Sequence, residues 1–464
     1  MKIRILFPLF LLLPGLFTIA RFNAPVLPEE EYLVVKPHTL LLPYQDEQRA
    51  IGRDRTTSDR VFEPGKRWSF LAMPGHEKSF LNAFLPGVDP GTGWQMVEIS
   101  GQGRQTGDTV FNLINEFIFP EKKAGMEYFL RIGYLSAGAV IWLNGNRCGS
   151  AGPLYAPADF YITPFLQSGK NKLVLQCQDF IPGEVLLISK PALHVSDVRL
   201  QTHFSEANIT LRTTVVIGSL RQGISWKPEI MVKLIDRSGM ERGMFKKTID
   251  MPLAYGQENS ITADIVLSDP SLWSAGSPEL YTVIVSLSEQ PNRIREVFAL
   301  DCGFREINYD GQGITVNGSR EILRPDPNPP SRISKGYAAE MKDKGYNALR
   351  YSSGMDPAIP EVCDREGIYL LYEPGRAGSI SEARIAWLQN HPSVLMMTPE
   401  EGTETAFPEK EALKLLNQTE TDLPLLIPLI KEKNGNHAAA DSVFLVFPGG
   451  RTEKVPAAGV IEIK

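Results

Sequence analysis

From about residue 26 to residue 193 the apolar residues come in short alternating runs broken by turn residues, the pattern of half-buried strands in a β-sandwich. The clearest run is Ala139-Val140-Ile141-Trp142-Leu143, followed by Asn144-Gly145. Asn-Gly between two apolar runs predicts a type I′ hairpin, because both central residues must take positive φ. Farther on, residues 165–171 form a turn that leads into a strand over 172–177. The alternation continues between residues 195 and 299, in 209–215, 229–235 and 280–287. About seven such runs in roughly 105 residues fit an immunoglobulin-like sandwich.

Near Phe304 the rhythm changes to helix and strand in turn. Residues 334–344 predict an amphipathic helix with Tyr337, Ala338 and Met341 on one face, followed by a strand over 347–351. A second helix over 359–366 is stopped by Gly367 before a strand over 368–372. A third helix over 381–389 leads to a strand over 394–397, and a fourth over 408–416 leads to one over 425–429. The last strand is 443–447. Repeated βα units mean a parallel sheet, most simply a barrel, although periodicity alone does not separate a barrel from an open sheet.

The first twenty residues differ from all of this. Lys2 and Arg4 precede an apolar run from Ile5 to Leu13, and Thr18-Ile19-Ala20 close the segment before Arg21. That is the charged, apolar and small-residue order of a secretory signal. Its apolar stretch of about 16 residues, interrupted by Pro8 and Pro14, is short of the roughly 20 that a spanning helix needs. The expectation is cleavage near Arg21 and a secreted or periplasmic protein. The chain then divides into a leader (1–20), a first sandwich (21–195), a second sandwich (196–303) and a βα region (304–464).

Composition narrows the partners. With 464 residues, 43% of them hydrophobic, the chain can bury several cores, which excludes whole-chain disorder. Lys and Arg number 48 against 54 Asp and Glu, a net charge of -6 with no basic block, so nucleic acid is not an expected partner. Cys148, Cys177, Cys302 and Cys363 lie far apart, with no CxxC pair and no adjacent histidine, so neither a metal nor another cofactor is expected. Cys148 and Cys177 could bond in an oxidising compartment, but so few cysteines in so long a chain are more often buried thiols.

The order of domains and several local strings together resemble glycoside hydrolase family 2, the family of β-galactosidases, β-glucuronidases and β-mannosidases. Leu143-Asn144-Gly145, Tyr155-Ala156-Pro157, Phe160-Tyr161-Ile162-Thr163 and Gly169-Lys170-Asn171-Lys172-Leu173 are similar to its jelly-roll, galactose-binding-like domain. Ser196-Asp197-Val198-Arg199-Leu200 resembles the start of its immunoglobulin-like domain, and Leu272-Trp273-Ser274 the end. Gly303-Phe304-Arg305, Val316-Asn317-Gly318, Gly345 to Arg350, Cys363-Asp364-Arg365-Glu366-Gly367 and Asn390-His391-Pro392-Ser393-Val394 fall in the order of its catalytic barrel. The resemblance implies two β-sandwiches and a (β/α) TIM-type barrel acting on carbohydrate, with Arg350 facing the substrate.

Departures from the family pattern bear on activity. Where the family carries a histidine-rich loop, this chain reads Arg324-Pro325-Asp326-Pro327-Asn328-Pro329-Pro330. Where it carries Asn-Glu, the Glu being the general acid and base, an ungapped count places Glu401 and Gly402, and one residue of slip brings Glu401 into the acid's place. Roughly 160 residues follow Phe304, against about 250 in a complete barrel, so the barrel is expected to be incomplete, with an open edge near 443–447 that residues 451–464 or another chain covers. Retaining hydrolysis needs two carboxyl groups about 5 to 5.5 Å apart at the C-terminal ends of barrel strands. The candidate pair is Glu373 and Glu401, since the strands before them end in acids, with a solvated acidic loop as the competing reading for residues 400–404. Three hypotheses follow: a carbohydrate-binding relative with weak or lost β-glycosidase activity, an active β-glycosidase using Glu401, or a structural or interaction protein built on the sandwiches.

Overall fold

The computed structural model of the chain describes residues 36, 38–74, 93–99, 109–133, 135, 138–152, 156–178, 181–220, 227–250, 256–289, 293–310, 313–330, 333, 336–352, 356, 358–373, 382–397, 425–433, 436–446 and 452–456. The apolar leader, the expected helix over 408–416 and Glu401 lie outside these residues. Among the described residues no helix is long and apolar enough to cross a membrane.

The described strands between residues 61 and 191 pair antiparallel, in two sheets. One has six strands in the order Gln95–Glu98, Arg67–Pro74, Thr109–Phe119, Gly169–Gln178, Ala139–Leu143 and Asn146–Ala151. The other has four, in the order Val61–Phe62, Val185–Pro191, Met126–Ile132 and Ala158–Tyr161. Trp68, Leu113, Tyr128, Leu130, Phe160, Leu175 and Leu187 fill the layer between them. The expected hairpin is present, because Asn144 (φ 52°) and Gly145 (φ 81°) adopt the positive φ that its turn demands. Asn144 also ties the turn to its neighbour: its Nδ2 donates to Asn171 Oδ1 at 2.8 Å, and Lys172 N donates to Asn144 Oδ1 at 2.9 Å. All four cysteines are buried free thiols. The strand Ala139–Leu143 runs between those carrying Cys148 and Cys177, and burial pushes both thiols up to about 12.

Only Ala192 separates Val185–Pro191 from Leu193–Phe204, the strand that opens the next pair of sheets. Leu193–Phe204, Ile209–Ser219 and Glu258–Leu267 form a three-stranded sheet. Glu241–Thr248, Pro228–Ile235, Tyr281–Glu289 and Arg293–Cys302 form a four-stranded one. Pro228–Ile235 shows the physical basis, since its residues alternate strictly between buried and half-buried. Val198, Leu211, Val215, Val232, Val283, Val285 and Phe298 make the core between these sheets.

After a small hairpin of Ile307–Tyr309 and Ile314–Val316, the chain enters a six-stranded sheet. Ala348–Ser352, Tyr369–Glu373 and Val394–Met397 are parallel, linked by the helices Ile359–Glu366 and Glu382–Leu388, and Tyr337–Asp343 precedes the first. Residues 324–326 add a short parallel edge beside Ala348. One face packs Leu349, Tyr351, Leu370, Tyr372 and Val394 against Met341, Ile359, Cys363, Trp387 and Leu388 of the helices. The other packs Ala348, Tyr369, Leu371 and Leu395 against Trp273, Ile307, Ile314, Val316 and Leu323.

The expected strand over 425–429 is Leu425–Lys433, parallel to Val394–Met397, and the βα rhythm stops after it. Leu425–Lys433 meets the third parallel strand through Met397 and Leu425, but Asn436–Val446 and Thr452–Pro456 follow it antiparallel. The local signal for this reversal is Asn434-Gly435, a two-residue link between paired Lys433 and Asn436. Ser442 to Val446 is therefore not left bare, because Thr452–Pro456 of the same chain pairs with it.

Candidate functional site

A parallel sheet presents its chemistry at the C-terminal ends of its strands, where the connecting loops converge. Register places Ser352 beside Glu373, and Arg350 beside Leu371, at that end of the sheet. Arg350 is half-buried and shares the strand face of Ala348, which packs on the Trp273 side of the sheet. The structure thus brings Arg350 and the backbone of Glu373 to one end of adjacent strands. Asp326, in the loop where the resemblance calls for histidines, accepts a hydrogen bond from the Tyr337 hydroxyl at 2.6 Å. It pins the first helix to the edge of the sheet. Tyr351 donates to the Asp356 carbonyl at 3.2 Å, which holds the next loop. Trp142 lies on the face of its strand away from the sandwich core, packed with Trp94 over Ile114 and Val174. Among the described residues no group of three or more His, Cys, Asp or Glu side chains is arranged to hold a metal ion.

The opposite, N-terminal end of the parallel strands holds a small, open cleft lined by Leu200, Thr202, Cys302, Gly303, Arg305, Gln389, Asn390, His391 and Pro392. It is on the wrong end of the sheet for the chemistry sought. What it reveals is the work done by the family-like strings. Asn390 donates to the Val198 carbonyl at 2.7 Å and accepts from Leu200 N at 2.9 Å, acting as a piece of backbone for the second sandwich. Arg305 donates to the Val394 carbonyl at 2.6 Å and lies 5.9 Å from the Trp273 ring. Trp273 donates from Nε1 to the Asp364 carbonyl at 2.8 Å, and Asn317 donates to the Trp273 carbonyl at 3.0 Å. Gly303 must lack a side chain, since a Cβ there would stand 2.8 Å from both Pro392 and Trp273. These strings weld the second sandwich to the parallel sheet.

His391 and Asp364 add an ionic tie to the same joint. His391 Nδ1 is 2.6 Å from Asp364 Oδ2, and Ser393 N donates to Asp364 Oδ1 at 2.8 Å. Burial alone opposes the imidazolium, but the Asp364 carboxylate overrides it and raises His391 above the usual histidine range. Because the folded value is raised, this contribution to stability is complete below about pH 6.5 and is lost as pH rises through the folded value. Thermal unfolding between pH 6 and 9 should show that loss, and His391→Gln should flatten it. An unchanged slope in His391→Gln would contradict this origin.

Comparison with known proteins identifies the architecture as that of multidomain, β-rich glycoside hydrolases. The family model for Glycosyl hydrolases family 2 matches residues 193–305, the second sandwich from its first strand to Arg305. A β-galactosidase of Yersinia pestis bv. Antiqua (strain Angola) is 27% identical over 277 residues, covering 52% of this chain and 26% of that enzyme. Among solved structures, Bacteroides uniformis β-glucuronidase 2 superposes with a TM-score of 0.60 at 20% identity, over 77% of this chain and 50% of that one. A β-glycosidase from Bacteroides vulgatus gives 0.62 at 20% identity, over 79% and 53%. The chain spans about a quarter of the length of the β-galactosidase and about half that of the solved structures. The second sandwich thus matches the glycoside hydrolase family 2 model, and the fold over most of the chain resembles that of the β-glucuronidase and β-glycosidase structures.

Proposed function

We propose that this chain is an exported, carbohydrate-binding member of the family with weak or lost β-glycosidase activity, built as a jelly-roll sandwich, an immunoglobulin-like sandwich and an incomplete TIM-type barrel. The observation that carries the reading is the break in strand order. Parallel pairing runs from Ala348–Ser352 to Leu425–Lys433, and Asn436–Val446 and Thr452–Pro456 then fold back antiparallel, so the described residues hold four named parallel strands where a complete barrel has eight, and the late strands that would bring a second carboxylate to the end where Glu373 lies are not among them. Without a carboxylate on each side of the bond, the oxocarbenium-like state lacks either its proton donor or its stabiliser. Removing one member of such a pair forfeits several orders of magnitude in rate. Carbohydrate as the ligand class follows from the named activities of the relatives, β-galactosidase and β-glucuronidase.

The test is an assay of the purified chain on aryl β-galactoside, β-glucuronide and β-mannoside beside Glu401→Gln. Turnover far below roughly 1 per second is expected, with no further loss in the variant. A rate of about 1 to 1000 per second that collapses in Glu401→Gln would establish an active enzyme instead. Calorimetric titration with the three parent sugars measures retained binding, and silence toward all three would favour a purely structural role. Export is tested by sequencing the mature N-terminus, expected near Arg21.

A further inference from the structure

The four-stranded sheet of the first sandwich carries charge on the face turned away from its own core. Glu127, Arg131, Asp159 and Lys190 lie there beside Phe129, Leu186 and Ile188, and all are buried. The second sandwich and residues 38–44 cover them. Arg131 donates to Asp159 through Nε at 2.6 Å and through a terminal nitrogen at 2.7 Å, and to the Leu41 carbonyl at 2.8 Å. Glu127 accepts from the Tyr161 hydroxyl at 2.7 Å. Lys190 Nζ lies 5.3 Å from the Phe129 ring centre.

Glu296 meets this layer from the second sandwich, fully buried, on the strand Arg293–Cys302. Its Oε2 accepts from Val195 N at 2.9 Å, beside the bulge between Val195 and Asp197 in the strand that joins the two sandwiches. Its Oε1 is buried without a hydrogen-bond partner. The next residue, Val297, pairs with Tyr44, so the same strand grips the covering segment. Asp197 holds the other side of the bulge, accepting from Thr39 N at 2.8 Å and from Val198 N at 2.9 Å. We propose that this seam is a proton-operated lock, tight when Glu296 is protonated and loosened when it ionises.

The surrounding groups set the direction. Burial disfavours the carboxylate and raises Glu296 to about 7, while Lys190, the Val195 amide and Arg60 oppose that rise. Burial also lowers Lys190, although Asp159, Glu296 and Asp197 favour its charge. His194, held down to about 3 by burial and by Lys190, stays neutral. Arg131 and His38 face Asp159, which burial would raise but which Arg131 and His38 hold well below the usual carboxylate range. Glu296, buried with one oxygen unpartnered, therefore changes charge near neutrality. Its folded value is raised, so its contribution to stability is complete below about pH 4.5 and lost as pH rises through 7.

Hydrogen exchange on the full chain at pH 5.5 and 8.5, corrected for intrinsic rates, tests the lock. Amides of Thr39, Val195 and Val198 are expected to lose protection at least about tenfold at the higher pH, and Glu296→Gln, which keeps the acceptor for Val195, should abolish the difference. Lys190→Met removes the cation that most favours the Glu296 carboxylate, so it should shift the midpoint of the wild-type transition to higher pH. The proposal is overturned if these amides are equally protected at both pH values, if Glu296→Gln keeps the wild-type difference, or if Lys190→Met leaves the midpoint in place.

Discussion

Asp159→Ala is expected to lower stability by about 3 to 5 kcal/mol, read as a fall in the midpoint of chemical denaturation. The carboxylate and the Arg131 guanidinium are both buried and joined by two hydrogen bonds, so removing one leaves a full charge in a dry site. Arg131 would keep the Leu41 carbonyl, and His38 would lose its partner at 3.1 Å. The paired change Arg131→Met with Asp159→Leu should recover most of the loss, because apolar groups of similar volume need no partner. If Asp159→Ala alone cost less than about 1 kcal/mol, the pair would be behaving as a solvated surface bridge.

Trp273→Ala is expected to cost about 3 to 5 kcal/mol and to act on one part of the chain. Trp273 is fully buried between the second sandwich and the parallel sheet, edge-on to Tyr369 with ring centres 5.8 Å apart. Its loss opens a cavity, leaves the Asp364 carbonyl without the indole donor and takes the aromatic face from Arg305. Amides of Ala348–Ser352 and Tyr369–Glu373 should exchange faster, while those of Thr109–Phe119 in the first sandwich keep their protection. Trp273→Phe retains a ring and should cost less than half as much. Equal losses in the two variants would assign the effect to the hydrogen bond alone.

Much of the secondary structure was legible before any coordinates. The helix read over 359–366 is Ile359–Glu366, ended by Gly367 at φ 67°, and the strand read over 394–397 is Val394–Met397. Such elements are decided by periodicity and stop signals a few residues away. The reversal after Lys433 carried a signal of the same kind in Asn434-Gly435, which the preceding βα rhythm obscures. The strings that resembled the family were legible as well, although their role was not. Asn390, Trp273 and Gly303 prove to be joints, since their partners Val198, Asp364 and Pro392 lie far away along the chain. For the candidate site, sequence placed Glu373 at the end of its strand and Arg350 in the strand before it; Glu401 falls outside the described residues.

The sequence by itself determined where strands, helices and two-residue turns fall, because alternation and positive φ are local matters. It also carried the resemblance to glycoside hydrolase family 2, through strings that keep their order. Only the tertiary structure decided which outward strand positions stay wet. Arg131, Asp159 and Lys190 occupy the face that alternation assigns to solvent, yet they are buried, because a second sandwich and a segment nearly a hundred residues upstream close over them. Burial of that second face depends on another element's position, which no local pattern encodes, and it turns ordinary surface charges into the paired layer on which Glu296 closes.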